Sequence, residues 1–346
     1  MKKTIAAGVL ISLLLLLLSS CTPTPTPMSK TFYEYFNTES SVISYAADTK
    51  ESFDKIADKV DGMLREYHRL YDIYHDYSGI NNLKTVNDKA GREAVEVDGK
   101  IIDLLKLGKE MYTLTGGKVN IAMGSVLSLW HDAREGDGEG NHTLPMDSDL
   151  SFASIHTDID SIVIDEAAST VYISDEHTSI DVGAIAKGYA TKMIADALMA
   201  DESLDANGYA LNIGGNIRLI GTKADGDWRI GITNPVKSDS DPYVKIVGVS
   251  NTSVVTSGDY ERFFTVDGKN YHHIIDPETL YPATYHHSVT VIAEDSALAD
   301  ALSTALFTMN INDGHALVES LDGVEALWVR TTGAEPFSTD GFPAVE

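Results

Sequence analysis

The 346-residue chain has a single cysteine, Cys21, so no intrachain disulfide can form and no multi-cysteine metal or iron-sulfur site can be built. Positive charge is scarce. Its 26 Lys and Arg stand against 52 Asp and Glu, a formal net charge of -26 that argues against a nucleic-acid ligand over most of the surface. No fixed-period repeat marks a solenoid or propeller. Also missing are the Gly-Lys-Ser/Thr ending of a Walker phosphate loop, a His-Glu-x-x-His zinc helix and, around Ser257-Gly258, the setting of a nucleophile elbow. The apolar run from Ile5 to Leu18 is shorter than the roughly 20 residues a membrane helix needs. What is present, 43% hydrophobic and 8% aromatic residues, suffices for a folded core.

Two lysines after Met1, the short apolar run and the small residues Ser19-Ser20 read as an export signal. Leu18-Ser19-Ser20-Cys21 resembles the lipobox of bacterial lipoproteins, which implies cleavage before Cys21 and lipidation of its thiol. The expected organisation is a signal peptide over 1–20, a lipidated cysteine with a Thr/Pro linker over 21–30, and one folded domain over 31–346. Thr22 to Pro27 alternates proline with threonine, a composition that favours an extended spacer.

Further along, Phe32 to Ser44 reads as an entering strand, and Phe53, Ile56, Val60, Leu64, Tyr67 and Tyr71 give Thr49 to Tyr74 one buried helical face. Tyr77 to Ala94 is polar and turn-rich. Asp98 to Leu114 has helical spacing, and Asp132 to His142 reads as an exposed acidic loop within one domain. Short strands are expected at 161–164, 170–174 and 179–182, then a helix over Gly183 to Met199, a series of strands to Ala293 and a last strong helix from Ser296 to Asn310. The fold class is α+β.

Several segments can carry chemistry. A strand ending at Val182 would bring Gly183 into a first helical turn, where free amides approach an anion and Lys187 adds a positive charge; an ordinary tight turn with a solvent-facing lysine explains the same residues. Asp300 and Thr304, at i and i+4, put a carboxylate and a hydroxyl on one helix face, a hard-cation pair or simple capping chemistry. In Tyr271-His272-His273-Ile274-Ile275-Asp276-Pro277, alternation separates the two imidazoles onto opposite faces, and either could move a proton. Gly116 to Gly124 and Leu211 to Asn216 add glycine-rich turns that suit close backbone approach or plain structure.

Taken in order, Ala122-Met123-Gly124, Asp181 to Gly188, Asn212 to Asn216, Thr256 to Arg262, His273 to Pro277 and Asp300 to Ala305 resemble the ApbE-like bacterial flavin transferases, over most of the chain from Thr31 to about Trp328. The resemblance implies a T-fold-related α+β body with a mixed or antiparallel sheet and packed helices. It implies FAD as substrate, Mg2+ as cofactor and transfer of FMN to a threonine of an exported protein through a phosphoester, with release of AMP. By the same resemblance the metal is held by the Ala184 carbonyl, Asp300 and Thr304. FAD is met by Tyr77, Ala122, Met123, Gly124, Asp181, Lys187, His273 and Ile274, and catalysis falls to His273, with His272 and Asp276 as rivals. The acceptor is expected to be a redox-complex subunit or flavin reductase, reached from a lipid anchor on the outer face of the cytoplasmic membrane. Where the family continues past Trp130 with a short glycine-containing segment, this chain has His131 and the acidic insertion, a difference expected at the rim that meets the target. FAD hydrolysis to FMN and AMP, or flavin carriage by a non-enzymatic lipoprotein, are the alternative readings.

Overall fold

The computed structural model describes residues 26–46, 49–223, 226–236, 241–333 and 335–345. It opens on a hairpin, β1 (Met28–Tyr35) and β2 (Thr38–Ser44), whose turn holds Phe36 and Asn37 at φ 53° and 51°. Two successive left-handed residues match the twist of the strands they join, so the stretch from Phe32 to Ser44, expected as one strand, doubles back. β1 begins inside the expected linker. The export signal and Cys21 lie outside the described residues.

α1 (Lys50–Tyr71) is capped by Thr49, whose side chain accepts from the Ser52 amide, and it buries the predicted stripe from Phe53 to Tyr71. The stretch read as turn-rich contains α2 (Leu83–Asp88), because Asn82 and Thr85 form a reciprocal capping box. β3 (Val95–Glu96) and α3 (Gly99–Leu114) follow, then α4 (Gly124–Glu135), which runs several residues into the span read as an acidic loop. α5 (Asp147–Ser154) was not legible in the sequence pattern; its short apolar content sits at Leu150 and Ala153, packed beside α4. β4 (Ile162–Asp165) and β5 (Thr170–Ile173) join β3 in a small antiparallel sheet of order β3-β5-β4.

Residues 179–182 do not form the expected strand: only an isolated parallel bridge, Met123 with Ser179, occurs there. α6 accordingly starts at Ala186 and runs to Met199, three residues later than expected. Ten strands follow: β6 (Tyr209–Ile213), β7 (Asn216–Ile220), β8 (Trp228–Thr233), β9 (Tyr243–Val249), β10 (Ser253–Gly258), β11 (Phe263–Val266), β12 (Lys269–His272), β13 (His286–Ala293), β14 (Glu325–Arg330) and β15 (Phe337–Ser338). α7 (Ser296–Phe307) and α8 (Ile311–Glu319) lie between β13 and β14. The main sheet, order β1-β2-β6-β7-β10-β13-β14-β15, is antiparallel throughout.

α7 lies across β10 and β13, and α6 packs on α7, β7 and α1. The shared core includes Ile194, Leu198, Leu211, Val255, Val291, Leu302 and Leu306. Nearly every residue of α7 is buried, Asp300 among them at 3% exposure. A carboxylate in such a helix is costly unless donors or a cation meet it, which directs attention to what surrounds Asp300.

Candidate active site

At the crossing of α6 and α7 the backbones come close because Gly188 has no side chain. A Cβ there would lie under 3.0 Å from both Asp300 Cβ and the Ser296 carbonyl oxygen. The Gly188 amide donates to Asp300 Oδ2 at 2.7 Å. In a regular helix that N–H would go to the carbonyl four residues back, Ala184. Among the described residues, the Ala184 carbonyl therefore receives no hydrogen bond, and the Thr304 hydroxyl one turn along α7 makes none either. Burial pushes the Asp300 carboxyl above its ordinary range, opposed by Lys187, by the Gly188 amide and by the Asn216 side chain. Asn216, only 1% exposed, keeps its Oδ1 without a partner. The three sequence-expected metal donors are hard oxygens, one of them a shielded carboxylate, and the Gly188 amide links Asp300 to the start of α6, next to which Ala184 lies. Among the described residues there is no cluster of three or more His, Cys, Asp or Glu side chains placed for a metal, and this set, with one carboxylate, is of a different kind.

The second wall is built by the loop before α6. Gly124 donates to the Ser179 carbonyl at 2.9 Å, and Asp181 donates to that of Ile121 at the same distance. A side chain on Gly124 would strike the Ser179 backbone, so the glycine lets the start of α4 lie against this loop. Ala122 and Met123 are buried, and the Ala122 amide is taken by Asn120 Oδ1. Asp181 Oδ1 accepts from the Gly183 amide at 2.7 Å, which fixes the turn into α6. Its carboxyl is raised by burial, with the Gly183 amide, His131 and Lys187 acting the other way. Lys187 donates to the Gly183 carbonyl at 3.3 Å and has no carboxylate within ion-pair distance among the described residues. It acts electrostatically on Asp181, Glu261, His273 and Asp300, so one ammonium lies within electrostatic reach of all four.

The third wall is the hairpin of β11 and β12. His272 pairs with Phe263, and the His273 amide donates to the Arg262 carbonyl at 3.1 Å. The two imidazoles face opposite ways, as alternation predicts. His272 is buried, with Nε2 on the Ala283 carbonyl at 2.8 Å and Nδ1 accepting from the Ile274 amide at 3.2 Å, so neither ring nitrogen is left for substrate. His273 is exposed on the cleft side, and neither of its ring nitrogens meets a protein group among the described residues. Water can reach the ring, yet protein surrounds it on the other sides. Desolvation, reinforced by Arg262, Lys187 and His272, lowers it to about 3, so it is a neutral proton acceptor at physiological pH.

Asp276 is placed differently. It is 4% exposed, paired with Lys118 Nζ at 3.0 Å, and its Oδ1 also accepts from the Glu278 amide at 3.1 Å. It ties the turn after His273 to the Gly116-Gly117 segment and is not free to accept a proton. Ile274 is buried with both backbone groups in use, towards His272 and Ala283. Tyr77 donates to Asp72 Oδ2 at 2.7 Å and stands against His68 and Arg69, a network separate from the groups around Lys187.

Tyr74, three residues earlier, lies nearer to these groups. Its ring stacks on His131 with centroids 4.9 Å apart and planes at 28°, and its hydroxyl is pushed up to about 12 by burial and by Asp181, against Arg134 and Arg262. Reading the sequence gave Tyr74 and Arg134 no role, expected His131 only at the rim that meets the target, and gave Arg262 no role of its own, although Arg262 lies within a motif already singled out.

An α+β scaffold that gathers unpaired cations, a shielded carboxylate and a neutral imidazole around one cleft belongs to the class of enzymes that handle phosphate esters or anhydrides. A profile of the ApbE family matches residues 36–328. The chain is 30% identical over 275 residues to an FAD:protein FMN transferase of Klebsiella pneumoniae, covering 79% of this chain and 82% of that one, and 34% identical over 262 residues to one of Treponema pallidum, covering 71% and 70%. The crystal structure of the ApbE protein of Thermotoga maritima superposes with a TM-score of 0.78 at 30% identity, over 91% of this chain and 97% of that one. The flavin transferase ApbE of Vibrio cholerae gives 0.74 at 25% identity, over 91% and 96%. The chain belongs to the ApbE family.

Proposed function

We propose that this protein transfers FMN from FAD to a threonine hydroxyl of an exported acceptor protein. The observation that supports the reading is that Lys187, at the start of α6, acts electrostatically both on the buried Asp300 of α7 and on the unengaged imidazole of His273. The acceptor oxygen attacks the phosphorus on the FMN side of the pyrophosphate. A phosphoester bond forms, the bond to the bridging oxygen breaks, and AMP leaves with that oxygen.

His273 receives the hydroxyl proton. Lys187 offsets pyrophosphate charge, and Asp181, held by the Gly183 amide, orients polar groups of the ligand. Ala122, Met123 and Gly124 supply close backbone and apolar contact, with Tyr74 in the place expected for Tyr77. Ile274 and Asp276 position His273 from behind. The Ala184 carbonyl, Asp300 and Thr304 fit a magnesium ion, since all are hard oxygen donors and two of them are otherwise unengaged. When bound there, the ion would withdraw negative charge from the phosphates.

A lipid on Cys21 would hold the domain at the outer face of the cytoplasmic membrane. No helix among the described residues is long and apolar enough to cross a membrane. Incubating the mature domain with FAD, magnesium and a threonine-bearing acceptor tests the proposal. Covalent FMN on the acceptor with stoichiometric AMP supports it; free FMN without attachment indicates hydrolysis, and intact bound FAD indicates carriage.

A further inference from the structure

The network around Tyr77 stands apart from Lys187, yet both of its ends lead back to the cleft. The Phe36 amide donates to His68 Nδ1 at 3.3 Å. An imidazole nitrogen that accepts carries no proton, so the neutral ring holds its hydrogen on Nε2, and Nε2 meets the Tyr77 hydroxyl at 3.2 Å. Tyr77 donates in turn to Asp72 Oδ2 at 2.7 Å. The other carboxylate oxygen, Oδ1, accepts from the amide of Tyr74 at 2.7 Å and from that of His75 at 3.1 Å, and His75 Nδ1 lies 3.0 Å from Oδ2. With the Phe36 amide as the first donor, each later bond has only one possible direction, and the run ends on the carboxylate.

Asp72 is 7% exposed. Burial would push its carboxyl up, but the donors from Tyr74, Tyr77 and His75 outweigh it and hold the group below its ordinary range. A turn at the end of a helix needs only the two amide bonds. What the Tyr77 and His68 links add is a connection. One end fixes the backbone of Tyr74, whose ring stacks on His131. The other end holds the β1–β2 turn, where Phe36 and Asn37 both sit at positive φ without being glycine, a conformation that surrounding contacts must maintain. The Phe36 ring also stands edge-on to His68, with centroids 5.8 Å apart. From that turn the Asn37 carbonyl accepts from Arg262 Nη2 at 3.2 Å, and the Arg262 carbonyl accepts from the His273 amide at 3.1 Å. Hydrogen bonds, continued through the Phe36-Asn37 peptide and through Arg262, thus join Tyr74 to His273.

We propose that Asp72, Tyr77 and His68 are positioning residues that set Tyr74 and His273 in register for the flavin dinucleotide and the acceptor hydroxyl. This rests on the transferase reading, in which Tyr74 meets FAD and His273 takes the proton. Tyr77 then serves the ligand through Asp72 and Tyr74.

The test is a set of mutant cycles on the whole mature chain, read as Kd for FAD and as the single-turnover rate of FMN transfer at saturating FAD. Tyr77→Phe removes one hydroxyl and keeps the ring that Arg69 covers. It should raise the Kd about fivefold and slow transfer about fivefold. Asp72→Asn, whose side chain cannot accept on both sides, should act in the same direction, and the double variant should be no worse than the more damaging single change because both cut one run. In a Tyr74→Leu background Tyr77→Phe should alter the Kd less than twofold, and in a His273→Ala background it should slow transfer less than twofold. Thermal melting screens for misfolding, and of Tyr77→Phe and Asp72→Asn the better folded variant decides. Kd and rate both within twofold of wild type, or losses that persist unchanged in the Tyr74→Leu and His273→Ala backgrounds, would overturn the proposal and leave the network as support for the end of α1. So would a Tyr74→Leu protein with wild-type affinity for FAD, because nothing would then need positioning. Wild-type protein that binds FAD but never releases AMP would defeat the transferase reading instead, and the Kd cycle would still decide whether Tyr77 acts through Tyr74.

Discussion

Placing alanine at Gly188 sets two effects against each other, and the structure decides the sign. In an exposed helix, glycine to alanine gains about 1 kcal/mol from propensity. Here the new methyl group meets Asp300 Cβ and the Ser296 carbonyl at less than 3.0 Å, and one of these is backbone. Restoring van der Waals contact requires α6 and α7 to separate by roughly 1 Å. Overpacking of this kind costs about 1–3 kcal/mol, and weakening the Gly188 amide bond to the Asp300 carboxylate adds about 1.5–3 kcal/mol. The net expectation is a loss of about 3 kcal/mol, lowering Tm by roughly 5–10 °C. Function should fall further than stability, because a displacement of about 1 Å at a reacting centre can cost on the order of 100-fold in rate. Calorimetry and a single-turnover FMN transfer assay over a magnesium titration would read both effects. A Gly188→Ala protein that melts higher than wild type and keeps magnesium-dependent turnover would show that the helix crossing does not position Asp300 as argued.

Removing the imidazole in His273→Ala should slow transfer by about 100-fold or more. Because the ring is lowered to about 3, wild-type kcat/KM should show no ionisation near pH 6.5 that disappears in this variant; finding one would reject His273 as the neutral base. Asp276→Asn should cost about 1.5–3 kcal/mol by removing one charged partner of Lys118, which keeps the exposed Glu278 at 3.0 Å, while magnesium affinity stays at the wild-type value; a selective loss of that affinity would place Asp276 at the metal instead. His286, 2% exposed, is lowered to about 4 by burial, aided by Arg330 and opposed by the Met309 carbonyl. The unfolded chain therefore binds the extra proton between about pH 6.5 and 4, so stability should fall by about 3 kcal/mol as pH drops through that window. Urea denaturation of His286→Phe should show a shallower decline, and an unchanged slope would assign the acid sensitivity elsewhere.

The regular elements were largely legible because their burial is periodic: the stripe on α1, the run of α7 and the alternation that turns His273 away from His272 all follow from spacing. The misreadings have local causes. Phe36-Asn37 lacks glycine, so the left-handed turn between β1 and β2 was hidden in an apparently continuous strand. Ser179 to Val182 has a strand-like composition, but its amides and carbonyls are used singly against Ile121 and Gly124 rather than in a ladder. Residues that act through motifs, Asp181, Lys187 and Asp300 among them, could be placed in the sequence. Tyr74 could not, because what joins it to His131 and Arg134 is a ring stack between the segment after α1 and α4, while the hydrogen bond from Arg134 to His131 runs within α4. Asp276 looked like an acid-base candidate until its partner, 158 positions away, came into view.

That distant partnership has an evolutionary corollary. Lys118 and Asp276 fasten the segment leading to Met123 onto the turn behind His273, so two sides of the cleft share one rivet. A lineage adapting to a bulkier acceptor cannot widen one side alone without stranding a charge in the interior. Divergence in acceptor choice should therefore accumulate at freely varying margins such as the acidic stretch beyond α4, while this pair changes only in concert.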